Sequence, residues 1–151
     1  MEKIFLRQGM QEDMLFLFKL ANDRECRNNS LKPHEITWEE HRKWFKEIIL
    51  SKTQRQYILM DGVQPVGQGR LEVIGDFCRI SYSIIPERRG KGYGKHLIEL
   101  LNQTISKDFS NCTYCFGEVL KKNIASQKIF EELGYTAEER DDYFYYYKYI
   151  D

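Results

Sequence analysis

The stretch Ile84-Ile85-Pro86-Glu87-Arg88-Arg89-Gly90-Lys91-Gly92-Tyr93-Gly94-Lys95 decides how this chain is read. An apolar strand end runs through a proline into a turn with three glycines in five residues, and a helical pattern begins near Gly92. Glycine lets the backbone turn tightly with its N–H groups uncovered, and a helix start adds the positive end of its dipole. The turn is therefore an anion cradle. Arg88, Arg89, Lys91 and Lys95 set four positive charges against the carboxylate of Glu87, which points to a multiply charged anion such as a diphosphate. It is not a Walker A loop, because no Ser or Thr follows Lys95, and it is not Gly-x-Gly-x-x-Gly, because position 97 is Leu.

The rest of the chain makes that cluster a local feature. With 23 basic and 23 acidic residues among 151, the net charge is zero, so no general affinity for nucleic acid or anionic membrane is expected. The length suits one domain spanning 1–151, and 42% hydrophobic and 14% aromatic residues suit a packed core. No apolar run approaches the roughly 20 residues of a membrane span, and residues 1–10 carry charge where a signal peptide would be apolar, so a cytoplasmic setting is expected. Cys112 and Cys115 have zinc-knuckle spacing, but Cys26 and Cys78 stand alone and no second pair completes a site. Buried free thiols and no metal are the reading.

Working outward, Phe77 to Ile85 leads into the cradle as a strand. It is preceded by strands at 56–60 and 66–74, joined through Asp61-Gly62 and Gly75-Asp76 turns as an antiparallel meander. Lys3 to Arg7 reads as a first strand, and Met10, Met14, Leu17, Phe18 and Ala21 recur at helical spacing. Residues 22–36 read as a polar loop. Thr37-Trp-Glu-Glu40 has the form of a capping box, opening a helix with His41, Trp44, Phe45, Ile48 and Ile49 on one face. After the cradle come a helix over 92–106, a strand over 113–119, a helix ended by Gly134, and a strand pair through Glu138 to Asp142. Tyr143, Tyr145, Tyr147 and Tyr149 alternate onto one face of the last strand, where rings packing on a helix are expected.

A second constellation follows in Glu118-Val-Leu-Lys-Lys-Asn123-x-x-Ser126-x-x-x-Phe130-x-x-x-Gly134-Tyr135. Asn123, Ser126 and Phe130 share one helix face, which serves equally as an N-cap with a core stripe and as one wall of a ligand groove. Together with Arg89-x-x-Gly92-x-Gly94, in this order, the segment resembles the GNAT superfamily of N-acetyltransferases over the whole length. The resemblance implies an α/β (α+β) fold, with a mixed, mostly antiparallel central sheet of about six or seven strands flanked by about four helices. It implies acetyl-CoA as acetyl donor, without a metal. The pantetheine arm would then lie on backbone groups of Ser83, Ile84 and Ile85, and the diphosphate on Arg89, Gly90, Lys91, Gly92, Tyr93, Gly94 and Lys95. Asn123, Ser126 and Phe130 would line the cofactor wall. In ribosomal-protein-type members a Glu five residues before the Asn is the general base, and Glu118 holds that place. Many members also carry a Tyr acid seven residues after the Asn, and here that residue is Phe130.

The acceptor must be read from the N-terminal third. Asn22-Asp23, then Arg27-Asn28-Asn29-Ser30, and Ile36 to Phe45 around His41 and Trp44, resemble GNAT members that acetylate a nucleotide-linked amino sugar, of the pseudaminic acid pathway type. That resemblance implies a small-molecule amine acceptor bound near Arg27, Asn28, Asn29 and Trp44, with the chain a monomer or homodimer. A histidine on an apolar helix face is ordinarily a packing residue. His41 is still a candidate base beside Glu118, because it lies in a first helical turn, where the dipole favours neutral imidazole. The rival readings are acetylation of peptide N-termini or of another small amine, and a non-catalytic coenzyme A-binding module.

Overall fold

The computed structural model describes residues 3–150. Seven strands form one sheet: β1 (Ile4–Gln8), β2 (Gln54–Asp61), β3 (Gln64–Ile74), β4 (Phe77–Ile84), β5 (Tyr114–Leu120), β6 (Thr136–Glu139) and β7 (Tyr143–Tyr149), in the spatial order β1-β2-β3-β4-β5-β7-β6. Five helices accompany them: α1 (Met14–Ala21), α2 (Arg24–Asn28), α3 (Trp38–Leu50), α4 (Tyr93–Asp108) and α5 (Ile124–Glu132). The mixed, mostly antiparallel sheet agrees with expectation. Residues 22–36 depart from it, because Asp23 accepts a hydrogen bond from the Cys26 N–H and so caps the single turn of α2 inside the expected loop.

All neighbours run antiparallel except β4 and β5. That parallel contact is three pairs long, Phe77–Tyr114, Cys78–Cys115 and Arg79–Phe116. Beyond it β4 keeps its partner β3 as far as Ile84, and β5 keeps β7 as far as Leu120. The two halves of the sheet therefore part along a wedge whose apex is Arg79 and Phe116.

One face carries the main core. Leu97, Ile98, Leu101 and Ile105 of α4 pack on Tyr57, Leu59, Leu71, Cys78, Ile80 and Ile84, while Phe130 of α5 packs on the β5–β7 half with Val119 and Tyr146. Two glycines let the helices approach this closely. A Cβ at Gly69 would lie 2.8 Å from Leu101 Cδ1, and one at Gly117 would lie 2.6 Å from Phe130 Cζ. The other face carries α1 and α3 over Leu17, Phe45, Ile58 and Met60. The Thr37–Glu40 capping box starts α3 as read.

On β7 it is Tyr146 that enters the core, stacked on Phe130 at 5.4 Å with its hydroxyl donating to Glu131. Tyr145, Tyr147 and Tyr149 do not pack on a helix as expected. They lie beside Tyr114 and Phe116 across the strand pair, on the face that α1 and α3 leave uncovered.

Phe130 is 1% exposed and held between Tyr135 and Tyr146, so it cannot withdraw from an added methyl. Gly117→Ala should therefore destabilise the fold by about 1–3 kcal/mol, the usual scale of core overpacking. A denaturant titration checks it; an unchanged midpoint would show that the α5–β5 contact is loose.

Candidate active site

The wedge leaves one edge of β4 without a backbone partner. Ile85 N–H donates to Val66 C=O at 2.9 Å, so by the two-residue alternation of an antiparallel ladder Ser83 and Ser81 also face β3. Tyr82 and Ile84 then present N–H groups to the wedge. Ile84 C=O points the same way, where it accepts from Arg89 Nε at 3.0 Å. This corrects the expectation for Ser83 and Ile85. The Ser83 backbone is spent on β3, and both backbone groups of Ile85 are taken, by Val66 and by Arg88 N–H.

At the mouth of the wedge, Gly90 and Gly92 sit at φ +73° and +89°, in the left-handed region where side chains are strained. They turn the chain so that, among the described residues, no hydrogen bond uses any backbone N–H from Gly90 to Lys95, the first turn of α4 included. The uncovered N–H groups expected of this turn are present. Its side chains, however, are not the four free cations expected. Arg88 turns inward to Asp61 at 3.0 Å, Gln64 at 2.7 Å and the Tyr93 hydroxyl at 2.7 Å. Arg89 reaches Asp23 at 2.6 Å and Glu25 at 2.7 Å as well as Ile84 C=O. Burial opposes ionisation of Asp23, but Arg89 and the Cys26 N–H outweigh it and hold the carboxyl below its ordinary range. Lys91 and Lys95 remain to meet an anion, Lys95 lying only 3.5 Å from the exposed Glu132.

The α5 wall carries the other expected groups. Asn123 Oδ1 accepts from Ser126 N–H, capping α5, which leaves its Nδ2 free to donate. Ser126 Oγ lies 2.7 Å from the Tyr82 hydroxyl, a bond that joins α5 to β4 across the wedge. Burial pushes the Tyr82 hydroxyl up to about 12. Phe130 is not on that wall as expected: it is a core ring between Gly117, Tyr135 and Tyr146, and it offers no proton.

On the opposite face of the sheet, Glu118 projects from β5 just past the apex. Its Oε1 lies 3.2 Å from Arg79 Nε, and Arg79 also donates to Glu72 at 2.8 Å. A polar row runs from β2 to the wedge: Gln56 Nε2 donates to Gln68 at 2.7 Å, and Gln68 Nε2 to Ser83 Oγ at 2.9 Å.

His41 does not join this row. It is 4% exposed among Phe18, Trp38, Trp44 and Phe45, and its Nε2 donates to Met14 C=O at 3.0 Å. The expectation of a base there is corrected: burial lowers its pKa, and its N–H is committed to holding α3 on α1. Arg27 donates to Lys32 and His34 carbonyls and folds the segment after α2; Asn28 is exposed and Asn29 ends that helix. Gln68, Arg70, Arg79 and Tyr82 were missed. Their signal was available, since Gln68-x-Arg70-x-Glu72 places polar groups on the strand face that α3 covers.

Residues 3–136 match the family model described as the acetyltransferase (GNAT) domain. The chain belongs to that family. Among solved structures, the spermidine N-acetyltransferase of Vibrio cholerae in complex with CoA and spermine superposes with TM-score 0.84 at 21% identity, covering 97% of this chain and 95% of that one. The ribosomal L7/L12 alpha-N-protein acetyltransferase RimL in complex with coenzyme A gives 0.84 at 17%, covering 98% and 94%. AAC(6')-Ib in complex with Parmomycin and AcetylCoA gives 0.86 at 15%, covering 98% and 94%. No curated protein matches. These likenesses are of fold; the family makes this chain an acetyl-CoA-dependent N-acetyltransferase.

Its residues fit that donor. The unpaired N–H groups of 90–95 with Lys91 and Lys95 would take the diphosphate, and Tyr82, Ile84 and the Asn123 Nδ2 would take the amide-bearing arm. Gly92→Val, shown folded by circular dichroism, should abolish coenzyme A binding in calorimetry, and Lys91→Ala should weaken it by about 1–3 kcal/mol. Unchanged affinity in both would remove the loop from the cofactor site.

The depressed His41 pKa carries its own expectation. Stability gained by keeping the ring neutral is complete above the unfolded value near 6.5 and is lost as pH falls through the lower folded value. Wild type should therefore lose more denaturation free energy between pH 7.5 and 5.5 than His41→Phe does, measured by paired denaturant titrations.

Proposed function

We propose that the chain, as one acetyltransferase domain, acetylates the primary amine of a nucleotide-linked amino sugar, with Glu118 as general base. The observation that carries this reading is the hydroxyl and amide row Gln56–Gln68–Ser83 on the α3 face of the sheet, the face that also carries Arg79, four residues before Ser83 on β4, and Glu118. Such a row offers donors and acceptors to a polyhydroxylated ring, and the Glu118 carboxylate on the same face receives the amine. The resemblance of the segment from Asn28 to Trp44 to nucleotide-sugar acetyltransferases supports the same acceptor. Four free thiols, three of them buried, are consistent with a cytoplasmic setting.

Bound acetyl-CoA supplies an acyl group activated as a thioester. Glu118 accepts the proton lost by the attacking amine, directly or through one water, while Arg79 fixes its orientation. The N–H groups of Tyr82 or Ile84 stabilise negative charge developing on a carbonyl oxygen in the wedge. A thiol leaving group with a pKa near 8.5 departs without full protonation, so Phe130 at the usual tyrosine place is compatible with turnover.

Mass spectrometry after incubation with acetyl-CoA and a panel of UDP-linked amino sugars, peptides and spermidine should show acetylation of the sugar. Glu118→Gln should then lower its turnover by about 10² to 10⁴-fold with coenzyme A affinity unchanged. Acetylation of peptide or spermidine alone would replace this acceptor with a rival one.

A further inference from the structure

Arg70 stands on β3 opposite Ser81, its guanidinium carbon 5.2 Å over the Trp44 ring of α3. Among the described residues no hydrogen bond or ion pair satisfies it. The nearest carboxylate along its strand, Glu72, is drawn to Arg79 at 2.8 Å, and Glu118 is drawn to Arg79 as well. Burial pushes the Arg70 pKa below the ordinary guanidinium value; Glu72 opposes this and Arg79 adds to it. Desolvating a cation without a partner is costly, and the cost is recovered when a ligand brings the anion. The Arg70 nitrogens are reachable. Among the described residues the fully buried side-chain nitrogens without a hydrogen bond are Nε of Arg27 and Nε of Arg79, whose nearest carboxylate is the ion-paired Glu118; none belongs to Arg70.

Position adds to charge. Gln56, Arg70 and Ser81 lie in register across β2, β3 and β4 on the α3 face, with Glu118 one strand further on. With strands about 4.8 Å apart, β3 and β5 are separated by roughly 10 Å at the apex of the wedge. A monosaccharide with an amine at one end and a phosphate at its anomeric end spans a distance of that order. We infer that Arg70, seated on Trp44, binds the phosphate of a phosphorylated acceptor and so selects anionic amines over polycationic ones. The planar fork of arginine matches phosphate oxygens two at a time, and the indole beneath holds that plane in place. The amine end of this picture rests on the amino-sugar reading above; the phosphate end does not.

The test is calorimetric titration of the coenzyme A-loaded protein with a UDP-linked amino sugar, with glucosamine and with spermidine, on wild type, Arg70→Gln and Arg70→Lys. Wild type should bind the UDP-linked sugar at least tenfold more tightly than glucosamine. Arg70→Gln should lose that preference and Arg70→Lys keep only part of it, the charge without the fork, with coenzyme A affinity the same in all three. Equal binding of the two sugars by wild type, tighter binding of spermidine, or an intact preference in Arg70→Gln would each overturn the inference. Binding through Arg70 without acetylation would instead refute the proposed acceptor and leave this site standing. Acetylation of the UDP-linked sugar with its preference unchanged in Arg70→Gln would do the reverse.

Discussion

The structure depends on the shortness of one contact. β4 and β5 share three parallel pairs and then each follows its antiparallel partner away from the other. A continuous sheet would satisfy every backbone group along β4; this one leaves those of Tyr82 and Ile84 facing a wedge. The helices keep the wedge open by packing on separate halves. Leu101 sits on Gly69 to one side, and Phe130 on Gly117 to the other, at distances that no larger residue allows. What the fold leaves unpaired in its centre is what a thioester-bearing ligand needs: a line of N–H groups ending in a helix start.

Charge is distributed around that wedge by commitment as much as by composition. The arginines that stand out in the cradle are tied into the protein, Arg88 to Asp61 and Tyr93, Arg89 to Asp23 and Glu25. Arg89 thus links the glycine loop to the start of α2 through one guanidinium. Arg79 is shared by Glu72 and Glu118, whereas among the described residues Arg70 has only the face of Trp44. Which cation is available for a ligand follows from these partners, and composition alone does not disclose it.

Most of the fold was legible because the relevant signals are local. Gly-turns, the Thr37 capping box and the alternation of β7 each act within a few residues of where they are read. The run of uncovered N–H groups from Gly90 to Lys95 was legible for the same reason, since those groups are consecutive. The parts that were not legible depend on contacts distant in sequence. Which backbone groups of β4 face the wedge is fixed by the register with β3. Whether His41 is a base or a strut is fixed by Met14, 27 residues earlier. The α2 turn was hidden because a five-residue helix has too little periodicity to register, and Asp23 as its cap reads equally well as loop chemistry.

The central claim is that the wedge exists before the donor arrives and that alternate residues of β4 serve it. Amide hydrogen exchange of the ¹⁵N-labelled protein, with and without coenzyme A, tests this at single residues. The account predicts fast exchange at Tyr82, Ile84 and the loop from Gly90 to Lys95 in the free protein and strong protection once coenzyme A is added. Ser81, Ser83 and Ile85 should be protected in both states. Protection of Tyr82 and Ile84 in the free protein, or coenzyme A-dependent protection appearing at Ser83 and Ile85 in their place, would contradict it.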